Sequence, residues 1–170
     1  LAVAQPPGFE AGPLIEAGEV RVTVFWSSLF GATRVASLAV ADAAARPVKG
    51  ADGADNWSGL LSRLAELGGE GASDWSIGKF EFERGALEFR DLASGSQWRL
   101  TAITIAARDV APAAAFPLEL RLAGVAGPNT FHFALNGQGV LDPDAGRYTA
   151  NGLNFRGWAG GEPLPLAGIE

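Results

Sequence analysis

Asn56-Trp57-Ser58-Gly59-Leu60-Leu61-Ser62-Arg63-Leu64-Ala65-Glu66-Leu67 is the one stretch of this chain that reads as a helix. Leu60, Leu61, Leu64 and Leu67 recur at the three-and-four spacing that gathers them on one face. Asn56 is the expected N-cap, its side-chain oxygen accepting from a backbone N–H of the first turn. Gly68-Gly69 is the expected stop, since glycine takes the left-handed C-cap conformation without a Cβ clash. The expected task of the helix is to close an edge or end of a sheet with its leucines. Nearly everything outside it reads as strand. The expected fold is therefore mainly β: a twisted antiparallel sheet forming a groove or sandwich-like trough, with one short α-helix over 56–67.

Upstream of the helix, residues 42–55 are Ala, Asp, Gly and Pro and read as a loop. Residues 33–41 make an alanine-rich strand, Trp26 to Gly31 a turn, and residues 19–25 a strictly alternating strand. The prolines and glycines of residues 4–13 predict an extended connector over 1–18. Downstream, residues 68–74 read as a Gly/Ser loop. Strands over 75–83 and 86–91 flank Arg84-Gly85, read as a tight turn. Trp98 and Leu100 lie in one phase of strand 97–108 and Ile103 and Ile105 in the other, which predicts a bulge near Thr101-Ala102. Strands over 117–125, 130–141 and 147–158 follow, the last two joined by a turn at Asp142 to Gly146. Residues 160–170 read as a loose tail. Short connections predict antiparallel pairing between sequential neighbours, within a single domain over 1–170.

The strands carry one apolar set: Val20, Val22 and Val24; Phe80, Phe82, Leu87 and Phe89; Leu118, Leu120 and Leu122; Phe131, Phe133 and Leu135. Their neighbours Arg21, Thr23, Glu81, Glu83, Glu88, Glu119, Arg121, His132 and Asn136 point the other way. A sheet cannot leave a whole apolar face in water. It folds over, meets a second sheet, or holds an apolar ligand. The pattern alone leaves a dry core and a lipid trough equally open.

A net charge of -6 lacks the basic footprint of a nucleic-acid or anionic-lipid-surface binder. The chain has no cysteine, which removes disulfides, thiolate catalysis and Cys-based zinc sites. It has no methionine and starts at Leu1, which reads as a piece of a longer protein. No run of about 18 apolar residues is present to span a membrane. His132 is the lone histidine, and without a nucleophile-elbow motif it reads as a solvated strand residue rather than a general base. Asp52, Asp55, Asp142 and Asp144 read as turn formers rather than calcium ligands. Glu81, Glu83 and Glu88 read as a wet strand face rather than a glycosidase carboxylate pair. The five tryptophans each sit near an element end and read as anchors rather than a sugar platform. The expectation is no enzyme, no cofactor and no metal.

Several of these pieces, taken in order, resemble the AsmA family of Gram-negative bacteria. They are Ala4-Gln5-Pro6-Pro7-Gly8-Phe9, the alternating valine strand, Trp26 to Gly31, and Gly53-Ala54-Asp55-Asn56-Trp57 opening the leucine helix. Gly85-Ala86-Leu87-Glu88-Phe89-Arg90-Asp91, the Ser94-Gly95 turn, Trp98 and Leu100, Phe116-Pro117-Leu118 and the strand pair about Asp142 to Gly146 continue the likeness to residue 158. The resemblance implies a periplasmic domain built from a long, curved antiparallel sheet, with its parent anchored in the inner membrane, similar to the eukaryotic bridge-like lipid transfer proteins. It implies phospholipid acyl chains as partner, carried toward the outer membrane during its biogenesis, and it tips the apolar set toward a lipid groove. Burial of acyl chains at about 0.8 kcal/mol per CH₂ needs no catalytic residue. The alternative is a closed β-sandwich interaction module that assists or regulates outer-membrane protein assembly.

Overall fold

The computed structural model describes residues 1–10, 12–29, 33–60, 63, 75–126, 129–142, 145–160 and 162–163. Its strands are β1 (Ala2–Ala4), β2 (Pro13–Val24), β3 (Thr33–Ala45), β4 (Val48–Lys49), β5 (Trp75–Asp91), β6 (Ser96–Val110), β7 (Ala115–Ala126), β8 (Asn129–Asp142), β9 (Arg147–Ala159) and β10 (Glu162–Pro163). A 3-10 turn, Trp26–Leu29, joins β2 to β3. All ten strands form one open, curved sheet in the order β1-β2-β3-β5-β6-β7-β8-β9-β10, with β4 also paired to β5. No second layer packs on it among the described residues. The closed sandwich of the alternative is thus not the architecture that the described residues adopt.

Sequence alternation placed most strands, and backbone irregularities account for the differences. β5 runs unbroken through Arg84-Gly85, so the expected tight turn is absent. Arg84 takes a φ of 53°, the register shifts between Phe82 and Gly85, and the pair forms a bulge inside a 17-residue strand. The bulge expected at Thr101-Ala102 is present, with Ala102 at φ 50° and a register shift against both neighbours. β3 extends to Ala45, through the start of the expected loop. The 1–18 connector contains β1 and the first half of β2; Pro13 is tolerated as the first residue of a strand. β10 falls within the expected loose tail and pairs with Ala159 and Trp158.

β3 and β5 pair parallel, against the expectation for sequential neighbours. A parallel pair needs a long crossover, and residues 46–74 supply it. Helical turns begin at Ser58 within that crossover; Leu61, Leu64, Leu67, the Gly68-Gly69 stop and the 68–74 loop lie outside the described residues. The N-cap is Asp55, not Asn56. Asp55 Oδ1 accepts from the backbone N–H groups of Trp57 (3.0 Å) and Ser58 (2.6 Å). Asn56 is buried instead. Its Oδ1 accepts from Val48 N–H at 2.8 Å, and its Nδ2 donates to Gln5 Oε1 at 2.7 Å and to the Arg46 carbonyl at 3.0 Å. It fastens the N-terminal strap, the start of β4 and the crossover together.

The best-buried cluster is Ala107, Val110 and Phe116, with Trp75, Ile77, Phe80, Leu118 and Leu141 packed on it. Gly139 lies opposite Phe116 in the ladder, and a Cβ there would sit 2.6 Å from the phenyl ring. The ring occupies the place that glycine leaves free.

Candidate functional site: an apolar sheet face

Residues opposite one another in a ladder share a face, so the register decides where the apolar set lies. Val20, Val40, Phe82, Ile105, Leu120, Leu135 and Phe155 form one unbroken row across seven strands. Beside it run Val22, Leu38, Phe80, Ala107, Leu118 and Gly137. Leu87, Leu100, Gly124 and Phe131 make a further row, with Leu122 opposite Phe133, Phe89 opposite Trp98, and Val24 opposite Val35. All thirteen residues singled out from the sequence therefore lie on one face. The mid-sheet members are half-buried, whereas Val20, Val22 and Val24 on β2 are 45%, 55% and 55% exposed. The outer side of β2 beyond Ala17 has no partner strand among the described residues.

Strict alternation would not keep this face apolar. In four adjacent strands it is held by residues three apart: Ala17 and Val20, Val40 and Ala43, Phe82 and Gly85, Leu100 and Ile103. Asp42, Arg84 and Ala102 take positive φ between these pairs, and a Cβ on Gly18 would lie 3.1 Å from the Asp42 Cβ. The irregularities thus line up across the sheet, and each resets the phase so that the apolar side stays continuous. Val35 and Leu38, Ile77 and Phe80, and Ala107 and Val110 repeat the device along a second line, which holds Asp109 at φ 52°. Arg84 holds Asp42 bidentately at 2.7 and 2.9 Å, and that hydrogen-bonded pairing keeps the Asp42 carboxyl below its ordinary value.

Bulky side chains lean over glycines within the face. A Cβ on Gly124 would overlap the Phe131 ring, and one on Gly137 would lie 2.7 Å from Leu153. Phe133 and Phe155 pack with centroids 5.7 Å apart. At one end Trp57 packs on Phe89 at 6.0 Å, and Phe89 stacks on Trp98 at 5.0 Å. Among the described residues the Trp57–Phe89 pair is the crossover's ring contact with the face; Leu61, Leu64 and Leu67, expected to cover the sheet, lie outside them.

The opposite face is polar and largely ion-paired. Lys79 meets Glu81 at 2.7 Å and Arg99 meets Glu88 at 2.6 Å, which lowers the Glu88 pKa. Glu83 pairs with Arg84, and His132 is exposed between Ala123 and Trp158. No group of acidic or histidine side chains able to hold a metal occurs among the described residues. A depression of about 490 Å³ lies under the strap, bordered by Gln5, Phe9, Val48 and Leu92, with the Arg90–Glu10 ion pair of 2.8 Å at its rim. Among the described residues no helix is long and apolar enough to cross a membrane. No protein family, curated protein or solved structure matches the chain.

Proposed function

We propose that this chain is a non-enzymatic, AsmA-like periplasmic domain of an inner-membrane-anchored protein, whose curved sheet shields phospholipid acyl chains on their way to the outer membrane. The observation that carries this reading is the seven-strand apolar row on a sheet with no second layer over it among the described residues. Six inter-strand steps of about 4.8 Å make the row about 29 Å long. That is close to the hydrocarbon thickness of a bilayer, about 30 Å, so the row matches two acyl chains end to end. Covering it removes water from half-buried Leu, Phe, Ile and Val side chains at about 25 cal/mol per Å². Lipid extraction of the domain purified from a Gram-negative host tests the reading: it predicts co-purifying phospholipid, and a lipid-free domain overturns it.

A second reading has its own observation. Among the described residues, the outer edge of β2 from Gly18 to Val24 has no partner strand and lies beside an apolar face, as strand addition requires. In that case the domain captures extended segments of outer-membrane protein precursors. Protection of the β2 amides from hydrogen exchange by such a peptide, without lipid, would favour it.

A further inference from the structure

We propose that the polar face carries a binding site for a phosphorylated sugar, built on β7, β8 and β9 by Arg121 and Arg156 and walled by Trp158. The register sets Arg121 opposite Ala134 and Ala134 opposite Arg156. Two strand spacings separate the arginine backbones by about 9.6 Å. Two guanidinium arms rooted that far apart reach one anion over the short side chain between them. Both arginines border a depression of about 420 Å³, together with His132, Asn136 and Asn154.

Arg84, Arg90, Arg99 and Arg147 each hold a carboxylate at 2.6 to 2.9 Å. Arg156, like Arg34 and Arg108, has no carboxylate within ion-pair distance among the described residues, and it shares its depression with a second arginine, Arg121, which meets Glu119 of its own strand at 3.4 Å. Two guanidinium groups that converge on one anion each add a charge-assisted hydrogen bond to it. A phosphate monoester fits, because its oxygens take the guanidinium fork bidentately. Trp158 lies in the next row, 38% exposed and without a ring partner among the described residues. Its flat side suits the carbon face of a sugar, and Asn136, Asn154 and His132 offer donors and acceptors for hydroxyls. Glu119 leaves the set with one net positive charge, suited to a single phosphate. The site lies on the face opposite the apolar row and stands independently of the acyl-chain reading.

Calorimetric titration of the chain with glucose 1-phosphate, glucose and inorganic phosphate tests the site. A parallel arm uses phosphatidylcholine vesicles with and without phosphatidylinositol 4-phosphate. Glucose 1-phosphate should bind more tightly than glucose. Arg121→Gln and Arg156→Gln should each weaken it about tenfold or more, with Arg156→Lys retaining part of the affinity. Trp158→Ala should close the gap between glucose 1-phosphate and inorganic phosphate. Arginine-dependent binding to the phosphoinositide vesicles alone would assign the same chemistry to a lipid-borne sugar phosphate. The proposal is overturned if neither glucose 1-phosphate nor the phosphoinositide vesicles bind the native chain, if glucose 1-phosphate binds no more tightly than inorganic phosphate, or if the Gln variants, folded by circular dichroism, bind as the native chain does.

Discussion

Replacing Asn56 by alanine should loosen the whole N-terminal end of the sheet. The side chain is 3% exposed and makes three hydrogen bonds, at 2.8, 2.7 and 3.0 Å. At a net value of about 1 kcal/mol each, Asn56→Ala loses about 3 kcal/mol. The loss rises further if the Val48 N–H or the Arg46 carbonyl is left buried without a partner. A domain of this size is stable by about 5–15 kcal/mol, so the variant gives up a large share. One kcal/mol moves the melting point of a domain of 150–250 residues by about 2–4 °C, which makes the expected drop about 6–12 °C. Thermal and urea unfolding followed by circular dichroism measure it. Gln5→Ala removes one of the three bonds and should cost about a third as much. An Asn56→Ala variant within about 1 kcal/mol of the native chain would refute the idea that this amide clamps strap, crossover and β4 together.

Other consequences follow from the same contacts. Leu120→Glu places a carboxylate mid-row; the half-buried site costs the fold about 1 kcal/mol of apolar burial, whereas a lipid over it must desolvate the charge at several kcal/mol. Lipid occupancy should therefore fall at least tenfold while the melting point changes little, and a variant that simply unfolds would mark the position as protein core. Phe116→Ala should cost about 3–5 kcal/mol, as expected for a buried phenyl ring, and Gly139→Ala about 1–3 kcal/mol, because the new methyl meets that ring; paired urea titrations check both. Acid should destabilise the fold. Hydrogen bonds from Arg84, from Ser58 and Trp57, from Arg99, and from Ser94 and Ala93 lower the pKa values of Asp42, Asp55, Glu88 and Asp91. A depressed folded pKa contributes stability that is fully present above the unfolded values of about 3.9–4.3 and is lost as pH falls through the folded ones. Melting temperature should be flat between about pH 5 and 8 and decline below about pH 4, with a rise on acidification counting against the assignment.

Alternation made the apolar face legible, because a two-residue period assigns each side chain to a side without reference to any partner. That is why all thirteen residues, from Val20 to Leu135, share a face. The continuity of that face was not legible. It depends on αL residues at Asp42, Arg84 and Ala102, and only Ala102 betrayed itself, by the phase change from Leu100 to Ile103. Arg84-Gly85 has the composition of a hairpin turn, and only the ladder to β6 distinguishes it from a bulge. The parallel β3–β5 pair was hidden because both strands have antiparallel-looking alternation and the crossover carries only one helical pattern. Asn56 and Asp55 are both good caps by composition; the competing bond from Val48 N–H decided between them. The Arg121–Ala134–Arg156 arrangement joins residues up to 35 positions apart, so no local window could reveal it.

The account stands on oily side chains of one sheet side being covered by lipid. Native mass spectrometry of the domain purified from a Gram-negative host, followed by solvent extraction, measures that directly. The account predicts phospholipid bound to the native chain and stripped from Leu120→Glu and Phe133→Asp variants that still melt cooperatively. A native chain that carries no phospholipid, or variants that carry as much as it does, would contradict it.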